Sequence, residues 1–60
     1  MNTYLTVEEV AQILRVSKKK AREIIRAEIP YLVIGNRMRI RECDLHEYIE
    51  LNTERRHIDG

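Results

Sequence analysis

Nine of the eleven lysine and arginine residues of this 60-residue chain lie between positions 15 and 41. Two glutamates accompany them, so this stretch has a local charge of +7, whereas the remaining positions together carry −6. Basic groups concentrated in this way bind polyanions, because neutralising phosphates releases their condensed counterions. The charge pattern therefore predicts nucleic acid as the partner. The nine residues are Arg15, Lys18, Lys19, Lys20, Arg22, Arg26, Arg37, Arg39 and Arg41.

The other potentially reactive side chains do not form a pattern typical of a metal site or a catalytic site. Cys43 and His46 have a C-x-x-H spacing, and His57 follows, but a structural zinc site needs about four ligands. We expect a packed cysteine, exposed histidines and no metal site or cofactor. No serine or cysteine has a histidine partner and a third orienting group, which argues against nucleophilic catalysis and predicts that the protein is not an enzyme.

Length and composition narrow the class of protein further. Sixty residues allow one domain, which buries only about 60% of its unfolded surface and leaves no room for a scaffolded catalytic cleft. No apolar run approaches a membrane span, no signal peptide is apparent, and the single cysteine suits a reducing cytoplasm. Three tyrosines, with no Phe or Trp, are too few for a single-strand binder, and we expect them to be half-buried. They are Tyr4, Tyr31 and Tyr48.

Two helices are predicted in the first half of the chain. Thr6 and Glu9 form a capping-box pattern, and apolar residues at helical spacing follow, which predicts a first helix over about Val7–Leu14. Ser17 is a good cap for a second helix that starts at Lys18 and ends by about residue 28, because Pro30 disfavours helical geometry before it. Its apolar face comprises Ala21, Ile24 and Ile25, and its opposite face Lys19, Arg22, Glu23 and Arg26.

A hairpin and a third helix are predicted in the second half. Two short strands, Pro30–Ile34 and Arg37–Ile40, flank a two-residue Gly-Asn connection. The third helix begins with the acids near Glu42 and carries an apolar stripe as far as Ile49. We expect one domain over residues 1–52 and a frayed tail over residues 53–60.

The order of these elements is helix, short turn, helix, hairpin, helix. It predicts a mainly α fold with a small β-hairpin, in which the hairpin is the wing of a winged helix-turn-helix and the second helix reads the DNA groove. The motifs of the chain, in register from Tyr4 to Ile49, resemble the excisionase-type, MerR-like winged helix-turn-helix family. They are Thr6-Val7-Glu8-Glu9-Val10-Ala11, Leu14-Arg15-Val16-Ser17, Ile34-Gly35-Asn36-Arg37-Met38-Arg39-Ile40, Asp44-Leu45 and Tyr48-Ile49.

Three features depart from the family pattern. Arg15 stands where many relatives have glycine, at a turn position that favours a positive φ angle. Glu23 stands where a basic residue is common, and the connection from helix to wing is about one residue shorter than usual. These departures leave the predicted fold unchanged but alter the DNA sequence that we expect the protein to prefer.

Several residues of the predicted DNA-binding set have an alternative role that involves no DNA. The Lys18-Lys19-Lys20 run is either a solvated helix start or a phosphate contact, and we favour contact because cations oppose the helix dipole there. Glu23 either pairs with Lys19 or accepts a hydrogen bond from cytosine N4. Arg39 either contacts DNA or packs its stem on the wing. The full set is Ser17, Lys18, Lys19, Lys20, Arg22, Glu23, Arg26, Arg37 and Arg39.

The resemblance implies an excisionase, a recombination directionality factor that binds and bends attachment-site double-stranded DNA and steers an integrase. The alternative is a small MerR-like transcription regulator. A third role is a packaging module such as the DNA-binding end of a phage terminase small subunit. Regulators of the MerR-like type and such packaging modules normally add a dimerising or oligomerising region, whereas this chain stops at Gly60. We therefore expect a free monomer that contacts neighbouring protomers on DNA. An interaction domain that never binds nucleic acid leaves the basic stretch unexplained.

Overall fold

The computed structural model describes residues 3–54, which form three helices and a three-stranded antiparallel sheet. This architecture confirms the predicted winged helix-turn-helix, and the sheet gains a strand that the sequence pattern did not indicate. The elements in chain order are β1 (Tyr4–Leu5), α1 (Val7–Leu14), α2 (Lys18–Glu28), β2 (Leu32–Ile34), β3 (Arg37–Arg41) and α3 (Glu42–Asn52).

The start of α1 is fixed by the predicted capping box. The Thr6 hydroxyl accepts a hydrogen bond from the Glu9 backbone N–H at 3.1 Å, and the Thr6 backbone N–H donates to the Glu9 carboxylate at 2.9 Å. Two backbone amides that the helix leaves unpaired are thereby satisfied. The predicted bounds of α1 match those observed.

The turn between α1 and α2 depends on a left-handed residue. Arg15 has φ 59° and ψ 45°, and its backbone N–H donates to the Gln12 carbonyl at 3.2 Å. The Val16 N–H donates to the Ala11 carbonyl at 3.0 Å, and the Ser17 hydroxyl then caps α2 by accepting from the Lys20 N–H at 3.0 Å. The expected positive φ angle is confirmed, in a position where a side chain is strained.

Replacing Arg15 with glycine is expected to raise the free energy of unfolding by about 0.5–1 kcal/mol. Glycine adopts this conformation without a Cβ clash, although the greater freedom of its unfolded chain offsets part of the gain. Urea unfolding followed by far-UV circular dichroism measures the change. Arg15→Ala is the matched control, because it removes the same charge and keeps the Cβ. An Arg15→Gly variant no more stable than Arg15→Ala would show that the turn carries no strain.

The wing is a tight hairpin with its connection at Gly35 and Asn36. Both residues have positive φ angles, 53° and 66°, as a type I′ turn requires. Strand β2 begins two residues later than predicted, because Pro30 has no N–H to donate to a ladder. Strand β3 extends one residue further than predicted, and its second edge pairs with β1, so that β3 is the central strand.

The core lies between the two helix-turn-helix helices, β3 and the start of α3. Ile25, Ile40, Leu45 and Val10 are its largest fully buried side chains, and Ala21 supplies the close approach of α2. The remaining core members are Leu5, Val7, Ala11 and Ile29.

Some surface predictions were wrong. Cys43 is exposed rather than packed, because α3 buries its neighbours Asp44 and Leu45 instead. Tyr4 and Tyr31 are exposed and only Tyr48 packs against the core. The predicted frayed tail beyond residue 54 lies outside the described residues.

An ion pair holds the wing to α3. The Arg41 guanidinium donates two hydrogen bonds to the Asp44 carboxylate, at 2.7 and 3.1 Å, and Asp44 is the one buried charged residue between positions 3 and 54. This contact raises the pKa of Arg41 above its ordinary value. A buried carboxylate needs such a partner, so the pair fixes the end of β3 relative to α3.

Candidate nucleic-acid interface

A cleft of about 270 Å³ lies between α2 and the wing and is lined by four arginines. Arg22 and Arg26 reach it from α2, and Arg37 and Arg39 from β3. Four guanidinium groups in one concave surface repel one another unless an anion or solvent separates them, and their fork geometry suits phosphate oxygens. The other lining residues are Thr6, Val7, Glu8, Asn36 and Met38.

The packing of α2 dictates which side chains it presents. Ala21 and Ile25 have no exposed surface, so this side of the helix is committed to the core. Arg22 and Arg26 each follow one of these residues and are four positions apart, so they project side by side at the exposed surface. The predicted division of α2 into an apolar and a basic face is confirmed.

On the wing, the pairing of β2 with β3 places apolar and basic residues opposite each other. Ile34 faces Arg37 and Leu32 faces Arg39 across the ladder. The Arg39 guanidinium also donates to the Met38 carbonyl at 2.9 Å, so part of its donor capacity is used within the wing. The two alternatives for Arg39, DNA contact and packing of its stem on the wing, stay predictions.

Lys18 makes a contact that the sequence did not indicate. Its ammonium lies 3.1 Å from the Glu8 carboxylate of α1, and both side chains are more than half exposed. The hydrogen bond from Lys18, followed by one from the backbone, lowers the pKa of Glu8 below its ordinary value. The pair therefore stabilises the fold above the ordinary glutamate pKa, and this contribution is lost as the pH falls through the lowered value.

The remaining predicted site residues flank the arginine cleft rather than line it. Lys19, Lys20 and Glu23 are exposed on α2, and Ser17 uses its hydroxyl as the helix cap. In the described part of the chain Glu23 forms no ion pair with Lys19, so that structural alternative is wrong for this conformation. The cytosine hypothesis for Glu23 stays a prediction.

Besides the apolar Val7 and Met38, three polar residues that line the cleft were not predicted from the sequence: Thr6, Glu8 and Asn36. The first two were assigned only to the start of α1, and Asn36 only to the hairpin turn. No local signal shows that these segments meet α2, because the contact depends on how the wing folds back over the helix pair.

Within residues 3–54, no three His, Cys, Asp or Glu side chains are grouped so that they could hold a metal ion. His57, which the sequence reasoning considered, lies outside the described residues. None of the helices described has both the length and the apolar character that crossing a bilayer requires.

The fold and the basic cleft together define a winged helix-turn-helix protein. A family model described as a helix-turn-helix domain matches residues 4–52, and the chain belongs to that family. The family implies DNA as the partner, and its domains are typically non-enzymatic. Searches of curated proteins and of solved structures returned no significant match.

Proposed function

We propose that this protein binds double-stranded DNA sequence-specifically, with α2 in the major groove and the wing on the adjacent backbone. The single observation that supports this most strongly is the cleft in which Arg22 and Arg26 of α2 meet Arg37 and Arg39 of the wing. In a helix-turn-helix the second helix enters the major groove, and basic groups on both sides of it are suited to neighbouring phosphates.

Roles within this interface follow from position on α2. Lys19, Arg22 and Glu23 share the exposed face, where side chains reach base edges, and arginine pairs bidentately with guanine. Lys20 and Arg26 are assigned to phosphates, and Arg37, beside the wing tip, is assigned to backbone or minor groove. The Ser17 hydroxyl is used by the cap, which leaves its other lone pair and its proton for a phosphate.

We further propose that the protein acts as an excisionase. It would bind repeated sites in an attachment region, bend the DNA and direct an integrase towards excision, with no chemistry of its own. The support is the resemblance over Tyr4 to Ile49 and the wing, whose Gly35-Asn36-Arg37 tip forms the tight turn of that pattern. Transcription regulation by a small MerR-like protein is the competing role.

A salt titration tests DNA binding itself. If the basic residues of α2 and the wing tip make around five phosphate contacts, log affinity falls against log salt with a slope of about −4 to −5. Fluorescence anisotropy with a labelled random duplex measures this slope, since the electrostatic contribution does not depend on sequence. A slope near zero would contradict the proposed function. These contacts are drawn from six cationic residues, of which Lys18 is engaged by Glu8 and two others, Lys19 and Arg22, also reach base edges. The six are Lys18, Lys19, Lys20, Arg22, Arg26 and Arg37.

A further inference from the structure

One carboxylate lies within the basic surface that we assign to DNA. Glu8, in the first turn of α1, lines the same cleft as the four arginines, and its Oε2 lies 3.1 Å from the Lys18 Nζ. The two residues are ten positions apart, on different helices, so the contact exists only in the folded helix-turn-helix.

Glu8 is not needed for the capping box that begins α1. The capping box of α1 is closed by Glu9, whose carboxylate accepts from Thr6, so the two cap bonds survive without Glu8. The side chains of Glu8 and Lys18 are 61% and 54% exposed, and ion pairs with this exposure contribute little to stability. Stability alone is therefore a weak explanation for an acid in an arginine-lined cleft.

The contact matters more for what Lys18 can bind. An ammonium paired at 3.1 Å is not fully available to a phosphate, and a phosphate that approaches Lys18 also meets the Glu8 charge. A chain with a local charge of +7 binds any DNA by counterion release, and a carboxylate inside the contact surface limits that unspecific affinity.

We propose that Glu8 is an autoinhibitory residue that competes with DNA phosphate for Lys18 and so lowers affinity for DNA of any sequence. This inference rests on the proposed function. Lys18 becomes a phosphate contact only when its bond to Glu8 is broken, so the wild-type protein binds with one phosphate contact fewer than its basic residues would allow.

The test is Glu8→Gln, measured by fluorescence anisotropy on a random duplex across a salt series. Affinity is expected to rise by about two- to five-fold, a gain bounded by the strength of an exposed ion pair. The slope of log affinity against log salt should become more negative by about 1, as expected for one added phosphate contact. A merely structural role for Glu8 would not steepen the slope.

Two further variants make the test specific. Glu42→Gln removes an identical charge from the first turn of α3, where Glu42 is exposed and does not line the arginine cleft, and controls for net charge. Lys18→Met removes the residue through which Glu8 is proposed to act, so adding Glu8→Gln to it should not steepen the slope and should raise affinity no more than the net-charge control does. Thermal unfolding of each variant verifies that it is folded at the temperature of the assay.

The outcomes separate this inference from the proposed function. If the wild-type protein shows no salt-dependent binding, the proposed function fails. If it binds and Glu8→Gln behaves as Glu42→Gln does, only the inference is overturned. A full gain from Glu8→Gln in the Lys18→Met background would also overturn it, because the competition would not involve Lys18.

Discussion

Replacing Arg22 or Lys19 with alanine is expected to weaken binding to the correct DNA site by about 1–3 kcal/mol, or roughly 5- to 150-fold. Both residues lie on the exposed side of α2, opposite the buried Ala21 and Ile25. A base-edge contact distinguishes one base pair from another. Each protein variant should therefore also discriminate less between the correct site and sites with one altered base pair.

Arg37→Ala provides the comparison within the same interface. Arg37 lies directly after the Gly35-Asn36 turn and pairs with Ile34, at a wing tip that contacts backbone or minor groove in our proposal. Its loss should weaken specific and random DNA by similar factors, because phosphate contacts carry no direct sequence information.

Binding of the three variants to a selected site and to random duplex, measured at one salt concentration, distinguishes these roles. None of the three side chains belongs to the buried core, so unfolding temperatures should be nearly unchanged. Equal losses for Lys19, Arg22 and Arg37 variants on every DNA would mean that α2 reads DNA shape and not bases.

The features predicted correctly from sequence are those set by residues close together in the chain. The Thr6–Glu9 capping box, the left-handed Arg15 and the Gly35-Asn36 turn each depend on a segment of about four residues with strong stereochemical preferences. The buried face of α2 was likewise evident from its 3.6-residue period. Local signals of this kind were sufficient for the order of the helices and the wing.

The features missed are those that depend on segments distant in sequence. Strand β1 is only Tyr4–Leu5, too short for an alternating pattern, and it exists because β3 offers a free edge. The ion pair between Glu8 and Lys18 depends on the angle at which α1 and α2 pack against each other. Cys43 was expected to be packed because cysteine is often buried, but the register of α3 turns Asp44 inwards to meet Arg41.

Assembly on DNA distinguishes the excisionase role from the regulator role. The structure has two exposed surfaces that combine apolar side chains with opposite charge, one on α3 and one on the wing. Leu51 of α3 is 77% exposed in an acidic helix that also carries Glu47. Val33 and Ile34 of the wing are 63% and 61% exposed beside the basic strand β3. We propose that the α3 surface of one protomer contacts the wing of the next, which brings opposite charges and apolar side chains together.

This arrangement predicts a particular kind of DNA site. Because the two surfaces differ, the contact is head-to-tail, and the sites should be direct repeats about 10 bp apart, on one face of the duplex. The free protein should sediment as a monomer, since the contact is strengthened only when DNA holds both protomers. A two-fold symmetric regulator would instead require an inverted repeat.

Leu51→Ser is the sharpest variant for this prediction, because it removes the apolar contact and keeps the acidic charge of α3. It should bind a single site as the wild type does and lose roughly ten-fold in affinity for the second of two adjacent sites, within the usual range of coupling between sites. Footprinting on single and tandem sites measures both quantities, and sedimentation of the free protein supplies the oligomeric state. Ile13→Ser, at a 51% exposed position on α1, is the matched control and should leave cooperativity unchanged. A tight dimer in solution that protects a palindrome would overturn the excisionase proposal and favour the regulator, because a symmetric dimer cannot place its two wings in the same orientation along DNA.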